Sequence, residues 1–317
     1  MAQDPWFDRI AELVLTSDPL AEPGDPDVVA RLAAQAVRPE GFVGPEASPD
    51  VQVHDDEAPG PHGPVRVRVY RPAVQQPDAP LLVWCHGGGW VGGDLAMPEA
   101  DAVARELTHR AGATVVSVDY RLAVQGVWYP VPLDDVVAGF RWAVDNASAL
   151  GGNRVFLGGA SAGANLAAGA TLRQRDEGGV LPAAVLLAYP CVHPVLPTPS
   201  EELAPKVAAL TPFLAFAPEV LTPTIENYLG APLSVATPYA MAALGDVTGY
   251  PPTLILNDEY DGLRSSGEAF AAQLEQAGVE VECRYEPGVA HGHLNNPWLD
   301  AFDASLTTMA AWLGKSR

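Results

Sequence analysis

The amino-acid sequence predicts an α/β fold, a mostly parallel central sheet with helices on both faces, and two observations carry that prediction. Short apolar runs near 80–85, 113–118, 154–158, 183–188, 252–256 and 279–285 alternate with helical stretches near 99–111, 132–148, 162–175, 264–277 and 299–313. That rhythm is the one by which helices join parallel strands buried on both faces. Apolar residues make up 48% of the 317, enough to cover both sides of such a sheet.

The elements follow in order. Residues 4–16, with Trp6, Phe7, Ile10, Leu13 and Val14, and residues 26–37, opened by Asp25-Pro26, carry the apolar spacing of helices. The alternation Val65-Arg66-Val67-Arg68-Val69-Tyr70 marks a half-exposed antiparallel strand. From His193 to about Pro238 the rhythm breaks into proline-rich chain with Phe213, Phe216 and Tyr228 in short apolar patches. An insertion folded over the carboxyl edge of the sheet would shape a pocket there. The chain thus divides into residues 1–45, N-terminal helices contributing to a cap; a core of 46–192 and 239–317; and a cap insertion, 193–238. No internal repeat interrupts this plan.

Eighteen basic against 39 acidic residues leave a formal charge of -21, which argues against nucleic acid or an anionic membrane as partner and for a small neutral molecule. The longest apolar stretch, near Leu181 to Val192, is broken by proline and too short to span a bilayer. Met1-Ala2-Gln3-Asp4-Pro5 lacks the basic and apolar regions of a secretion signal, so a cytoplasmic location is expected. Cys85, Cys191 and Cys283 are an odd count among apolar neighbours and read as buried thiols.

The chemistry is concentrated at the strand ends. Gly159-Ala160-Ser161-Ala162-Gly163 follows Arg154-Val155-Phe156-Leu157, and Gly-x-Ser-x-Gly between a strand and a helix pushes the hydroxyl out above the sheet edge. A serine hydroxyl attacks only when a base removes its proton and a carboxylate holds that base. Downstream lie Asn257-Asp258-Glu259-Tyr260-Asp261 and then His291-Gly292-His293. Spacing does not choose among Asp258, Glu259 and Asp261, nor between His291 and His293. Upstream, His86-Gly87-Gly88-Gly89 follows Leu81-Leu82-Val83-Trp84 and can offer backbone N–H groups to an oxyanion. The order Ser, Asp, His is that of the α/β-hydrolase fold.

Other readings compete. Gly87-x-Gly89-x-x-Gly92 fits a dinucleotide fingerprint, with Asp119 ending the next strand as a ribose acid, so an NAD-dependent oxidoreductase is the second class. Against it, Trp90 is bulky for a turn approached by pyrophosphate, and the ordered run of Ser161, an acid and a histidine goes unexplained. A fold-bearing binding protein without catalysis is a third class, poorly matched to a complete set of reacting groups. The pair His291-x-His293 lacks the further ligands of a metal site. Trp90, Trp128, Tyr189, Phe213 and Phe216 suit the core or a pocket wall. His54, His62, His109 and His193 read as solvated or structural.

The set His86-Gly87-Gly88-Gly89-Trp90, Asp119-Tyr120-Arg121-Leu122-Ala123, Gly159-Ala160-Ser161-Ala162-Gly163-Ala164-Asn165-Leu166-Ala167 and Asp261-Gly262-Leu263-Arg264 resembles the hormone-sensitive-lipase family of α/β-hydrolase esterases. The resemblance implies Ser161 as nucleophile, Asp261 as acid, His291 as base, and an oxyanion hole from the N–H groups of Gly88, Gly89 and Ala162. It implies His86 as a brace for the glycine turn and a cap from the N-terminal helices and the insertion. A cap limits acyl chain length, so short- to medium-chain esters are the expected substrates, with amides or lactones the alternatives; the serine mechanism needs no cofactor or metal. A homodimer through a sheet edge is also implied, the strand near 279–285 being the candidate. Three departures stand out: Ala160 where the family usually has aspartate; Gly262 and Ser265-Ser266 where its acid loop reads Asp-Pro-Leu-x-Asp-Glu; and Val124-Gln125-Gly126-Val127-Trp128-Tyr129 in place of Pro-Glu and a short turn.

Overall fold

A computed structural model describes residues 24–45, 50–76 and 78–315; the helix expected over 4–16 lies outside them. In chain order the elements are α1 (Pro26–Gln35), β1 (Val51–Ala58), β2 (Val65–Pro72), β3 (Ala79–Cys85), α2 (Pro98–Ala111), β4 (Thr114–Val118), α3 (Val131–Asp145), β5 (Gly152–Ala160), α4 (Ala162–Asp176), β6 (Val185–Ala188), α5 (Ala204–Ala208), α6 (Pro218–Leu229), β7 (Thr253–Tyr260), α7 (Arg264–Gln276), β8 (Val281–Ala290) and α8 (Asp300–Gly314). The eight strands run β1-β2-β4-β3-β5-β6-β7-β8 across one sheet. The β1–β2 and β2–β4 pairs are antiparallel and the rest parallel, which is the α/β architecture expected from the sequence. The first strand has no apolar alternation, and Gln52–Glu57 are exposed at the sheet's edge.

Because successive side chains on a strand face opposite sides, each central strand feeds two cores. Leu81 and Val83 of β3 join Val116 of β4, Leu157 of β5 and Ile255 of β7 beneath Val136, Phe140, Leu166 and Leu172 of α3 and α4 and Phe270 and Leu274 of α7. Leu82 and Trp84 turn the other way, to Val115, Phe156 and Leu254, and are covered by Val103 and Leu107 of α2 and Phe302, Leu306 and Trp312 of α8. Strand β3 is buried on both faces from end to end, and the glycine turn follows directly at its carboxyl end. Cys85 and Cys191 are buried as expected, whereas Cys283 is exposed. It sits on β8, the last strand of the sheet, where a neighbour covers only one edge. No helix among the described residues is long and apolar enough to cross a membrane.

The stretch 193–238 contains α5, α6 and a 3-10 turn at Leu233–Val235. It lies on the carboxyl edge of the sheet: a Cβ on Gly262 would come within 1.9 Å of the Ala215 carbonyl oxygen, and one on Gly89 would stand 3.7 Å from Thr224. Helix α1, capped by the Asp25 carboxylate on the N–H groups of Asp27 and Val28, docks beside it. The Asp25 N–H donates to Ala209 O at 2.9 Å, and Arg31 and Gln35 both donate to Gly288 O, at 3.0 and 2.9 Å.

Candidate active site

Ser161 occupies the turn between β5 and α4 with φ 52° and ψ −117°. A non-glycine residue pays for such backbone, and here the surroundings enforce it. Its N–H donates to Ala188 O at 2.8 Å and its carbonyl accepts Asn165 N–H at 3.0 Å. The turn closes only over glycines, since a Cβ on Gly163 would lie 2.2 Å from Cys85 O and one on Gly159 2.5 Å from the Gly163 carbonyl.

The other two groups arrive through strand register. Asp258 of β7 lies opposite Glu286 of β8, but after a shift Tyr260 pairs with Ala290. The following residues, Asp261 and His291, therefore leave the sheet side by side. His291 Nδ1 and Asp261 Oδ2 are 2.7 Å apart, and His291 Nε2 and Ser161 Oγ 2.9 Å. Asp261 is fully buried and also accepts Leu263 N–H at 2.8 Å. Burial works against a charge on His291, yet Asp261, and after it Asp258 and Glu99, outweigh it and lift the imidazole above its ordinary value. With Nδ1–H donating to Asp261, Nε2 is left to accept the serine proton.

Each of the three acids that spacing could not separate has its own partner. Asp258 takes His293, Oδ1 to Nδ1 at 2.5 Å, and Glu259 takes Lys206 at 2.6 Å and the Gly288 N–H at 2.6 Å. The second histidine is thus engaged away from Ser161, its Nε2 lying 2.8 Å from Ser305 Oγ.

The glycine turn after β3 runs beside Ser161: a Cβ on Gly87 would be 3.1 Å from the Ser161 Cβ. Gly88 (φ 109°) and Gly89 (φ 59°) both use left-handed backbone, and the turn closes through Val91 and Gly92 N–H donating to Gly88 O. Among the described residues no protein acceptor takes the N–H of Gly88, Gly89 or Ala162. His86 stacks on Tyr120 at 4.5 Å and donates from Nδ1 to Gly87 O at 2.7 Å; burial drops it to about 4, so it is neutral.

Sequence reasoning missed Glu99. From the first turn of α2 this buried carboxylate accepts Gly87 N–H at 2.5 Å, the Tyr189 hydroxyl at 2.5 Å and Asn295 Nδ2 at 3.2 Å. Burial raises its affinity for a proton, against the pull of those donors. The only local signal was an acid just after Pro98 at a helix start, which is common at any helix. Tyr189 packs against His291 in a T-shaped contact with ring centroids 4.8 Å apart, Phe216 does so from the insertion at 4.6 Å, and Trp90 stacks on Tyr228 at 4.6 Å. Trp128 is exposed. Of the remaining histidines, His62 pairs with Asp134 at 2.6 Å and His193 with Ser266 at 2.9 Å.

Among the described residues, one group of three donors is close enough for a metal ion, Asp258, Asp261 and His291, within 4.8 Å of one another. These groups are already engaged: Asp258 with His293 and the Gly292 N–H, and His291 with Asp261 and Ser161. Asp119, the residue required by the dinucleotide alternative, pairs with Arg66 at 3.3 Å.

A family model described as the alpha/beta hydrolase fold matches residues 82–295, a span that includes the glycine turn, Ser161, Asp261 and His291. A carboxylesterase of Mycobacterium tuberculosis, NlhH, is 35% identical over 301 residues, covering 92% of this chain and 90% of that protein. The carboxylic ester hydrolase LipN of the same species is 36% identical over 282 residues, 86% of this chain and 71% of that one. The esterase of the hyperthermophilic archaeon Pyrobaculum calidifontis superposes with a TM-score of 0.73 at 30% identity, covering 99% and 98% of the two chains. The metagenomic carboxylesterase EstE1 superposes with a TM-score of 0.74 at 28% identity, covering 96% of each. None of these supports the oxidoreductase alternative. The chain therefore belongs to the α/β-hydrolase family, among its hormone-sensitive-lipase-like esterases.

Proposed function

We propose that this serine hydrolase cleaves short- to medium-chain carboxylic esters through an acyl-enzyme on Ser161. The observation that carries the reading is the continuous line of contacts from Ser161 Oγ through His291 to the buried Asp261. His291 takes the serine proton as Oγ adds to the ester carbonyl, then passes it to the leaving alcohol. A water molecule loses its proton to the same nitrogen and releases the acid. Asp261 remains ionised throughout and steadies the imidazolium. The unengaged N–H groups of Gly88, Gly89 and Ala162 would hold the oxyanion, each worth about 3 to 4 kcal/mol of transition-state stabilisation. Neither half-reaction calls for a metal or an organic cofactor.

Residues 193–238 and α1 act in this reading as a cap, supported by the Thr224 and Phe216 approaches to Gly89 and His291 and by the Asp25–Ala209 bond joining the two segments. Such a roof favours small acyl groups. The position of β8 at the sheet's edge supports a homodimer there, to be read by light scattering, and a cytoplasmic site of action by fractionation.

The test is a fluorophosphonate probe with a panel of p-nitrophenyl esters, anilides and lactones. Labelling of the wild type but not of Ser161→Ala, with turnover falling beyond medium acyl chains, is the expected result. Labelling that survives Ser161→Ala overturns the nucleophile. Faster turnover of long triglycerides than of short esters overturns the substrate class.

A further inference from the structure

Beneath the Ser161–His291–Asp261 line lies a second carboxylate–imidazole pair with every polar atom engaged. Asp258, at the end of β7, and His293, in the loop after β8, are both fully buried. His293 Nδ1 meets Asp258 Oδ1 at 2.5 Å, and His293 Nε2 meets Ser305 Oγ of α8 at 2.8 Å. The second Asp258 oxygen accepts the N–H of Gly292, the residue between the two histidines, at 2.9 Å. Gly292 has φ 85°, so the chain reverses there and sends His291 and His293 in different directions. The Tyr189 ring makes T-shaped contacts with both imidazoles, centroids 4.8 and 5.6 Å apart.

We propose that Asp258 and His293 are positioning residues which pin the loop carrying His291 to the sheet and to α8, and which bias the protonation of that base. This inference rests on His291 acting as the base for Ser161. Its two halves have separate physical causes. Mechanically, the bonds from Gly292 and His293 fix the backbone on the C-terminal side of His291, so the imidazole reaches Ser161 without having to be ordered when substrate binds. Electrostatically, ligand atoms of Asp258, Asp261 and His291 lie within 4.8 Å of one another, so His291 faces two buried carboxylates and not one. The charged and titratable groups around it are Asp258 and Asp261 from the end of β7, Glu99 from α2, His293 from its own loop and Tyr189 after β6; Glu286 of β8 lies beyond, opposite Asp258. A second negative charge favours the imidazolium that forms as Ser161 attacks, which agrees with the upward displacement of His291.

A second buried carboxylate beside Asp261 would be costly alone, and His293 with Ser305 supplies the partner that lets it persist.

The test is the pH profile of kcat/KM for Asp258→Asn, which keeps the shape and removes the charge. We expect the acid limb to move down by about one pH unit, since a carboxylate at this distance acts through a partly buried path. The double variant Asp258→Ala/His293→Phe removes the pair as a unit and leaves no unpaired charge, and its acid limb is expected to move the same way. An acid limb coincident with the wild type in either folded variant overturns the inference. His291→Gln separates the two levels: if it keeps wild-type turnover, the base assignment itself fails, whereas an inactive His291→Gln with an unmoved limb in Asp258→Asn sinks only the role of the pair.

Discussion

The carboxylate of Glu99 accepts the backbone N–H of Gly87 at 2.5 Å, across a gap that only a glycine leaves open. That bond ties the first turn of α2 to the loop whose next two N–H groups are the proposed oxyanion donors. Changing Glu99 to Gln puts an amide donor against either Gly87 N–H or the Tyr189 hydroxyl. We expect kcat to fall roughly 10- to 100-fold with KM nearly constant, because the loss is felt where the oxyanion develops. Steady-state kinetics on p-nitrophenyl acetate check it, and a rise in KM alone would point instead to substrate binding.

Replacing Ser161 by Ala or His291 by Gln should each lower kcat by about 10⁴-fold or more, and the double variant should be scarcely worse than either, since the groups act as a unit. Additive losses would show that the two side chains work separately.

The acid limb of kcat/KM should lie above about 6.5, the ordinary histidine value, because Asp261 and its acidic neighbours overcome the effect of burial and keep His291 protonated to higher pH. The base is active only when neutral, so raising its affinity for protons moves the loss of activity upward in pH. A rate that stays level from neutrality to pH 5 would falsify His291 as the base.

Stability has its own acid limit. Burial pushes His86 and His193 down to about 4, whereas in the unfolded chain each takes up a proton near 6.5. The depressed folded-state value makes the contribution full above 6.5 and lost as pH falls toward 4, worth about 3 kcal/mol for the fully buried His86. Urea unfolding at pH 7, 6, 5 and 4.5 should show this decline.

Gly163→Ala should prevent folding or cost more than about 3 kcal/mol, since its methyl would sit 2.2 Å from a carbonyl oxygen of the neighbouring strand end. Gly112→Ala meets no atom within 4 Å and pays only for left-handed backbone at the end of α2. Comparing thermal midpoints of the two variants separates lack of space from backbone preference.

Much of the fold was legible because buried parallel strands write themselves as unbroken apolar runs, as Leu81–Trp84 does. The first strand left no such trace, since its side chains from Gln52 to Glu57 face solvent. At the site, the glycines announced themselves by the turns they permit. The acids did not, because Asp258 and Asp261 both find a histidine; what sorts them is a register shift between β7 and β8, a tertiary event with no local pattern. Glu99 was unreadable for the same reason: its partners lie 12, 90 and 196 residues away.

A methyl group on Gly262 would strike the backbone of Ala215. Residues around Ala215 thus pack directly against the turn that carries Asp261, with room there for glycine alone. Any segment grafted in place of residues 211–217 has to leave Gly262 the same clearance, or it crowds the strand end that presents Asp261.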